Sequence, residues 1–229
     1  VNSLIHKKNI ALFIALLFHS CGLIGILCSP FKGWFINNTP ITLLIMASLL
    51  IITQLNKNRY FYLFMVLCFV VGMSTEMIGV NTGLLFGKYH YGKVLGYQFY
   101  GVPLLIGMNW FSIVFCSGSI MYRLQLFFAA QYQDQEERLM PIFKTVSFIF
   151  DSATLATLFD YLMEPVAVKL GFWTWQNSSI PFYNYLCWFL ISALLMIFFK
   201  VFTFNKENDF AVHLYIIQLL FFLALRIYL

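Results

Sequence analysis

The run IALFIALLFHSCGLIGILC at residues 10–28 contains no acid, lysine or arginine. An α-helix needs about 20 such residues to cross about 30 Å of hydrocarbon, and a helix satisfies its own backbone polar groups where no water can. Six further runs are long enough and predominantly apolar, at residues 39–55, 60–80, 103–127, 141–168, 184–203 and 210–228. Alternating segments of about ten residues, which a membrane barrel would require, are absent. The expected fold is therefore all-α: a polytopic membrane bundle of about seven transmembrane helices forming a single integral-membrane domain over residues 1–229. Composition agrees, since 61% of residues are hydrophobic, 10% are charged and the mean hydropathy is +0.82, far from the balance of a soluble domain.

His6, Lys7 and Lys8 precede the first run in the manner of a signal peptide, but the apolar stretch is long and lacks a small-residue cleavage site, so it is read as a retained span. The five cysteines lie in or beside predicted spans without paired spacing, which points to packing rather than disulfides or metal binding. With seven crossings, Lys7, Lys8, Lys57, Arg59, Arg123, Arg138, Lys144, Lys200 and Lys206 fall on the N-terminal side, against Lys32, Lys88, Lys93, Lys169 and Arg226 opposite. That bias favours a cytoplasmic N-terminus and a C-terminus across a bacterial-type cell membrane. A net charge of +5 without a soluble basic domain or a long basic run gives no support to nucleic-acid binding.

Most connections are short. The segment QYQDQEERLMP at 131–141 is polar and charged, with Pro141 suited to open a helix, and KEND at 206–209 reads as a polar turn. The two informative connections, 81–102 and 169–183, share an order of residues. Gly87, Tyr89 and Tyr91 are followed by Pro103 and, seven residues on, Trp110; Gly171, Trp173 and Trp175 are followed by Pro181 and, seven residues on, Trp188. An acid precedes each glycine, Glu76 in one copy and Glu164 in the other, at unequal spacing. Both copies run outward on one helix and return on the next, which predicts a parallel repeat of helix hairpins about an axis along the membrane normal.

Four acids fall within predicted helices: Glu76, Asp151, Asp160 and Glu164. A carboxylate deep in a membrane helix costs about 2.5–3.5 kcal/mol on insertion scales and marks a functional position by default. Helix direction places Glu76, Asp160 and Glu164 near the same end of the bundle, where Asn109, Trp110, Asn184 and Trp188 begin the returning helices. Asp160 and Glu164 are four apart and share a face. Two neighbouring carboxyls in a dry site do not both ionise readily, so one is expected to hold a proton, the preparation of a general acid. Asp151 is half a turn away from Asp160 and is expected to have a separate structural partner.

Each feature also has a plainer reading. A carboxylate near a helix end can reach interfacial water, tyrosine and tryptophan form interfacial belts, and glycines permit tight turns. His19, His90 and His213 are isolated, so packing or a backbone hydrogen bond fits them better than a metal, and neither a metal nor a cofactor is expected.

The ordered set EMIGVNTGLLFGKYHY (76–91), GVPL (101–104), DYLMEP (160–165), GFWTW (171–175) and IPFYNYLCW (180–188) resembles the integral-membrane carotenoid biosynthesis family that includes carotenoid 1,2-hydratases. The similarity covers roughly residues 70–190. One departure is Glu164, where the family pattern carries Asp in a Met-Asp-Pro triplet; the carboxyl is kept but reaches one methylene further. The resemblance implies addition of water to the terminal double bond of a linear (ψ) carotenoid, with no redox cofactor and a substrate entering from membrane lipid. Asp160 and Glu164 would supply the acid, with Glu76 as a competitor or as the base that orients water. Tyr89, Tyr91, Trp173 and Trp175 would stabilise the cation, and Asn109, Trp110, Asn184 and Trp188 would complete the substrate pocket.

Two other functions fit the same residues. A carotenoid cyclase would capture the cation with a neighbouring double bond instead of water. A non-enzymatic, proton-coupled transporter of lipids or small molecules would use the buried acids as coupling sites. A polyprenyl transferase lacks a second acid-rich motif and clustered phosphate ligands, and a retinal protein would need a lysine in the last helix. The oligomeric state is not legible.

Overall fold

The computed structural model describes residues 2–131, 141–177 and 179–229. In chain order its helices are α1 (Asn2–Cys28), α2 (Lys32–Asn37), α3 (Thr39–Thr53), α4 (Arg59–Thr82), α5 (Leu104–Gln131), α6 (Pro141–Lys169), α7 (Phe182–Val201) and α8 (Asp209–Tyr228). Four short strands interrupt the sequence: β1 (Tyr89–Tyr91), β2 (Gln98–Phe99), β3 (Val102–Pro103) and β4 (Trp173–Trp175). The chain is an all-α polytopic membrane bundle. Among the described residues, six helices, all but α2 and α3, are long and apolar enough to cross a membrane. The polar segment read at 131–141, with Arg138, lies almost wholly outside the described residues.

The run at 39–55 is shorter in space than a full span, because α3 has 15 residues and rises about 22 Å. It nevertheless traverses the bundle. Lys8 pairs with Asp209 at 2.5 Å, so α1 and α8 start at the same end. Asn208 donates to Gln54 Oε1 at 3.0 Å, and Gln54 donates to the Asn205 carbonyl at 2.5 Å, so α3 finishes at that end too. Pro40 sits in the first turn of α3, where its missing N–H costs nothing, and α2 leads the chain into it. α1 begins at Asn2, well before the apolar run, and carries the charged N-terminal residues within the helix.

α5 is the central helix: every residue from Trp110 to Ser119 is buried. It packs on α4, α6 and α8, while α6 also packs on α7 and α8, and α1 lies along α8. Lipid tails are as apolar as these side chains, so close van der Waals packing rather than water exclusion holds such helices together. Small residues make that approach. A Cβ on Gly72 of α4 would come within 2.5 Å of the Trp110 ring, and one on Gly118 of α5 within 2.9 Å of Phe199.

Pro165 interrupts α6 and removes the N–H that would bond the carbonyl of Tyr161. Arg226 of α8 takes that place, donating from Nη1 to the Tyr161 oxygen at 2.7 Å, with its guanidinium 4.3 Å above the Tyr161 ring. The break in α6, one residue after Glu164, is thereby satisfied from a neighbouring helix.

At the end opposite the N-terminus, β1 pairs antiparallel with β4, in register Tyr89 with Trp175, His90 with Thr174 and Tyr91 with Trp173. The two repeated aromatic motifs thus form one ribbon with a local twofold through the His90–Thr174 pair. Gly171, at φ +76°, ends α6 by letting Phe172 N–H donate to the Ala167 carbonyl, which turns β4 back over the bundle.

Candidate active site

Beneath the ribbon lies a small cavity of about 20 Å³, room for about one water. Its walls include all eleven residues that the sequence nominated: Glu76, Tyr89, Tyr91, Asn109, Trp110, Asp160, Glu164, Trp173, Trp175, Asn184 and Trp188. They come from α4, α5, α6, α7 and both strands of the ribbon. The carboxyl side chains belong to buried residues, with Asp160 wholly inaccessible.

Each glutamate is held by the aromatic side chains of its own copy of the motif. Glu76 Oε2 accepts from the hydroxyls of Tyr89 and, at 2.8 Å, Tyr91, while its Oε1 accepts from Trp110 Nε1 at 3.0 Å. Glu164 Oε1 accepts from Trp173 Nε1 at 2.6 Å and Trp175 Nε1 at 2.5 Å. The alternation in each strand explains this: residues two apart on a strand point to the same face, so both rings of each motif turn inward. Burial first, then the Glu76 charge, hold the Tyr89 and Tyr91 phenols well above their usual range, so they act as hydrogen-bond donors at neutral pH.

Asp160 differs. Its Oδ2 accepts from Asn184 Nδ2 at 2.8 Å, and its Oδ1 is buried with no N–H or hydroxyl donor among the described residues; the Glu164 carboxyl one turn away can share a hydrogen bond with Asp160 once one of the two holds a proton. Buried polar oxygens are nearly always paired, and one left free in a cavity marks a position for a proton, a water or a ligand. Asp160 and Glu164 lie one helical turn apart and interact electrostatically, which makes them one unit rather than two independent acids.

The rings form continuous walls. Trp110 and Trp188 stack with centroids 3.9 Å apart and planes 10° from parallel, and Tyr89 lies 5.0 Å from Trp175 and Tyr91 5.7 Å from Trp173. A π-face attracts positive charge, more strongly where water is excluded.

Three lining residues were not nominated from the sequence: Phe86, Ile106 and Met163. Phe86 is buried at φ +63°, and Gly87 N–H donates to the Leu85 carbonyl across it at 2.7 Å. Such a three-residue turn is strained for a bulky side chain and recurs at functional sites. The only sequence signal was the Phe-Gly pair ahead of the tyrosines. Outside the cavity, Asp151 accepts from Ser147 Oγ at 2.8 Å, His90 meets Thr174 Oγ1 at 2.7 Å, and His19 and His213 bond the backbone carbonyls of Ala15 and Asp209.

Fold and cavity together define a class: an integral-membrane helical protein that buries three carboxyl groups among aromatic rings under a two-stranded cover. The chain belongs to the carotenoid biosynthesis protein family, whose model matches residues 31–229. It is also similar to the bisanhydrobacterioruberin hydratase of Haloarcula japonica, at 26% identity over 137 residues, which cover 58% of this chain and 42% of that protein. The matched region thus spans less than half of that relative. No solved structure matches the chain.

Proposed function

We propose that the protein is a carotenoid 1,2-hydratase, adding water to the terminal double bond of a linear carotenoid end group. The observation that carries this reading is the Oδ1 of Asp160, free of any N–H or hydroxyl donor inside an aromatic cavity, in a chain of the carotenoid biosynthesis family. The hydratase relative lends the reaction class.

In this reading Asp160 is the general acid. A proton on Oδ1 passes to the less substituted alkene carbon; the π electrons form the new C–H bond, and a tertiary cation remains at the other carbon. The rings of Tyr89, Tyr91, Trp173 and Trp175 face that charge, and the Glu76 and Glu164 carboxyls add their field in a water-poor space. Water attacks the cation through oxygen and releases one proton to the carboxyl set, which restores Asp160. The sum is one water gained by one double bond, with no change in oxidation state. Glu164 is the partner that returns the proton. Glu76, with two phenols and an indole on its oxygens, orients the water. Asn184 fixes the Asp160 rotamer, so that Oδ1 rather than Oδ2 meets the substrate.

The carotenoid reaches the cavity from membrane lipid, and the excess of lysine and arginine on the N-terminal side supports a cytoplasmic N-terminus. Expression in a host that accumulates lycopene tests the reading. Pigment heavier by one water, carrying deuterium at the protonated carbon when grown in D₂O, is the expected result. Pigment rearranged with unchanged mass would make the chain a cyclase. Unaltered pigment, with proton-dependent uptake in vesicles, would make it a transporter.

A further inference from the structure

The cavity beneath the ribbon has room for about one water, and the branched end of a polyene is several times larger. Part of the wall must therefore give way before such an end can meet the acids. The helices around the site, α4 to α7, meet along four seams, and three of these are closed. α4 and α5 interlock at Gly72 and Gly107, where a Cβ would come within 2.5 Å of Trp110 and of Phe69. α6 and α7 are tied by the hydrogen bond between Asn184 and Asp160, and α8 packs over both α5 and α6.

The fourth seam, between α4 and α7, is filled by the segment Leu84 to Phe86. The Phe86 ring lies against Gly79 of α4, where a Cβ would come within 2.9 Å of it. The Phe86 N–H donates to Cys187 Sγ of α7 at 3.3 Å, and the Tyr183 hydroxyl of α7 donates to the Leu84 carbonyl at 3.0 Å. Inside, the buried ring lines the cavity, with its centroid 6.3 Å from that of Trp110; outside, Leu84 is 70% exposed. Gly83 and Gly87, at φ +70° and +119°, flank the segment and give it two points of pivot. Phe86 between them is left-handed at φ +63°, a backbone state that a bulky residue keeps only while its surroundings hold it.

We propose that the Phe86 ring occupies the subsite of the terminal isoprenoid unit, and that a polyene end passes from lipid through the α4–α7 seam by displacing it. A benzyl group and a branched isoprenoid terminus are apolar groups of similar size, so exchanging one for the other keeps the interior filled. The displacement releases two hydrogen bonds to α7, at Phe86 N–H and at the Leu84 carbonyl. That the occupant is a carotenoid end rests on the hydratase reading; the path follows from the packing.

Cys187 reports the opening, because it is buried behind Phe86 and becomes reachable when the segment lifts. The full chain in lipid nanodiscs is treated with N-ethylmaleimide, and labelling of each cysteine is followed by peptide mass spectrometry. Cys116, buried in α5, is the internal control. Phe86→Gly removes the ring and the strain, and should speed labelling of Cys187 at least tenfold while leaving Cys116 unchanged. Phe86→Leu, which keeps an apolar plug, should stay much closer to the wild-type rate. Ile106→Ala enlarges the cavity from α5, away from the seam, and should leave Cys187 unchanged. In the wild-type chain, lycopene at about ten times its Kd should slow Cys187 labelling about tenfold, a measurement that stands even if a Phe86 variant does not fold. Labelling that neither Phe86→Gly nor lycopene alters overturns the proposal, as does an Ile106→Ala effect equal to that of Phe86→Gly. Protection by lycopene in a chain that hydrates nothing in the lycopene host would keep the gate and remove the hydratase reading. Hydrated pigment, with Cys187 indifferent to lycopene and to Phe86, would do the reverse.

Discussion

Replacing Asp160 with asparagine separates chemistry from folding more cleanly than any other change in the cavity. The amide has nearly the shape of the carboxyl and keeps an oxygen to accept from Asn184 Nδ2, now at 2.8 Å. What the fold loses is at most the extra strength of a charge-assisted bond, about 1–2 kcal/mol. What the proposed reaction would lose is the proton on Oδ1, because an amide is no acid at neutral pH. General acid catalysis contributes about 10²- to 10⁴-fold, or about 3–5 kcal/mol of barrier at 1.36 kcal/mol per decade. Activity should therefore fall by at least a hundredfold while the thermal midpoint moves by a few degrees. The assay is conversion of lycopene in reconstituted membranes, with water gain read by mass and folding read by size exclusion of heated samples. If Asp160→Asn keeps more than about a tenth of normal turnover while Glu164→Gln or Glu76→Gln abolishes it, Asp160 Oδ1 is not the proton source.

Trp173→Phe and Trp175→Phe each remove one indole N–H from Glu164 and leave an aromatic face in place. Loss of about 1.5–3 kcal/mol of charge-assisted bonding should slow turnover roughly ten- to a hundredfold in each, with the double variant slower still. Gly72→Ala drives a methyl group to within 2.5 Å of Trp110. It should cost about 1–3 kcal/mol and alter the near-ultraviolet dichroism of the Trp110–Trp188 stack; an unchanged spectrum would refute the tight packing. Arg226→Met orphans the Tyr161 carbonyl beside Pro165 and should lower stability by about 1–2 kcal/mol, measured by the thermal midpoint, with Arg226→Lys recovering part of it.

The membrane spans were legible because bilayer thickness fixes helix length, so an apolar run is nearly a direct record of a helix. α3 was the exception in length, since its ends are anchored by α2 and by the Gln54–Asn208 contact rather than by its own hydropathy. The strands were not read, although tyrosines and tryptophans two apart carry the period of a strand. Three-residue strands bury little by themselves and form only because each finds the other across the repeat. The acids stood out against an apolar background, and helix direction alone brought them to one end. Phe86 did not stand out among twenty-seven phenylalanines. Its role comes from a left-handed backbone that only coordinates reveal.

The repeat also explains why one half of the cavity would hold the acid. Glu76 and Glu164, the Tyr and Trp pairs above them and the Trp110–Trp188 stack correspond across the local twofold. These matched parts form the frame. The mismatch lies one turn before each glutamate, where α6 carries Asp160 and α4 carries Gly72, and three residues after each proline, where α7 carries Asn184 and α5 carries Ile106. In the first half the Trp110 ring lies against Gly72 and reaches Glu76; in the second, that level holds a carboxyl fixed by an amide. A symmetric cavity with two equal acids would offer a substrate two orientations and no preferred carbon for the proton. In the hydratase reading, one carboxyl oxygen free of any N–H or hydroxyl donor on the α6–α7 side, facing the Trp110 ring on the α4–α5 side, would give the alkene a single face to present, and that directional difference is what an addition yielding one tertiary alcohol requires.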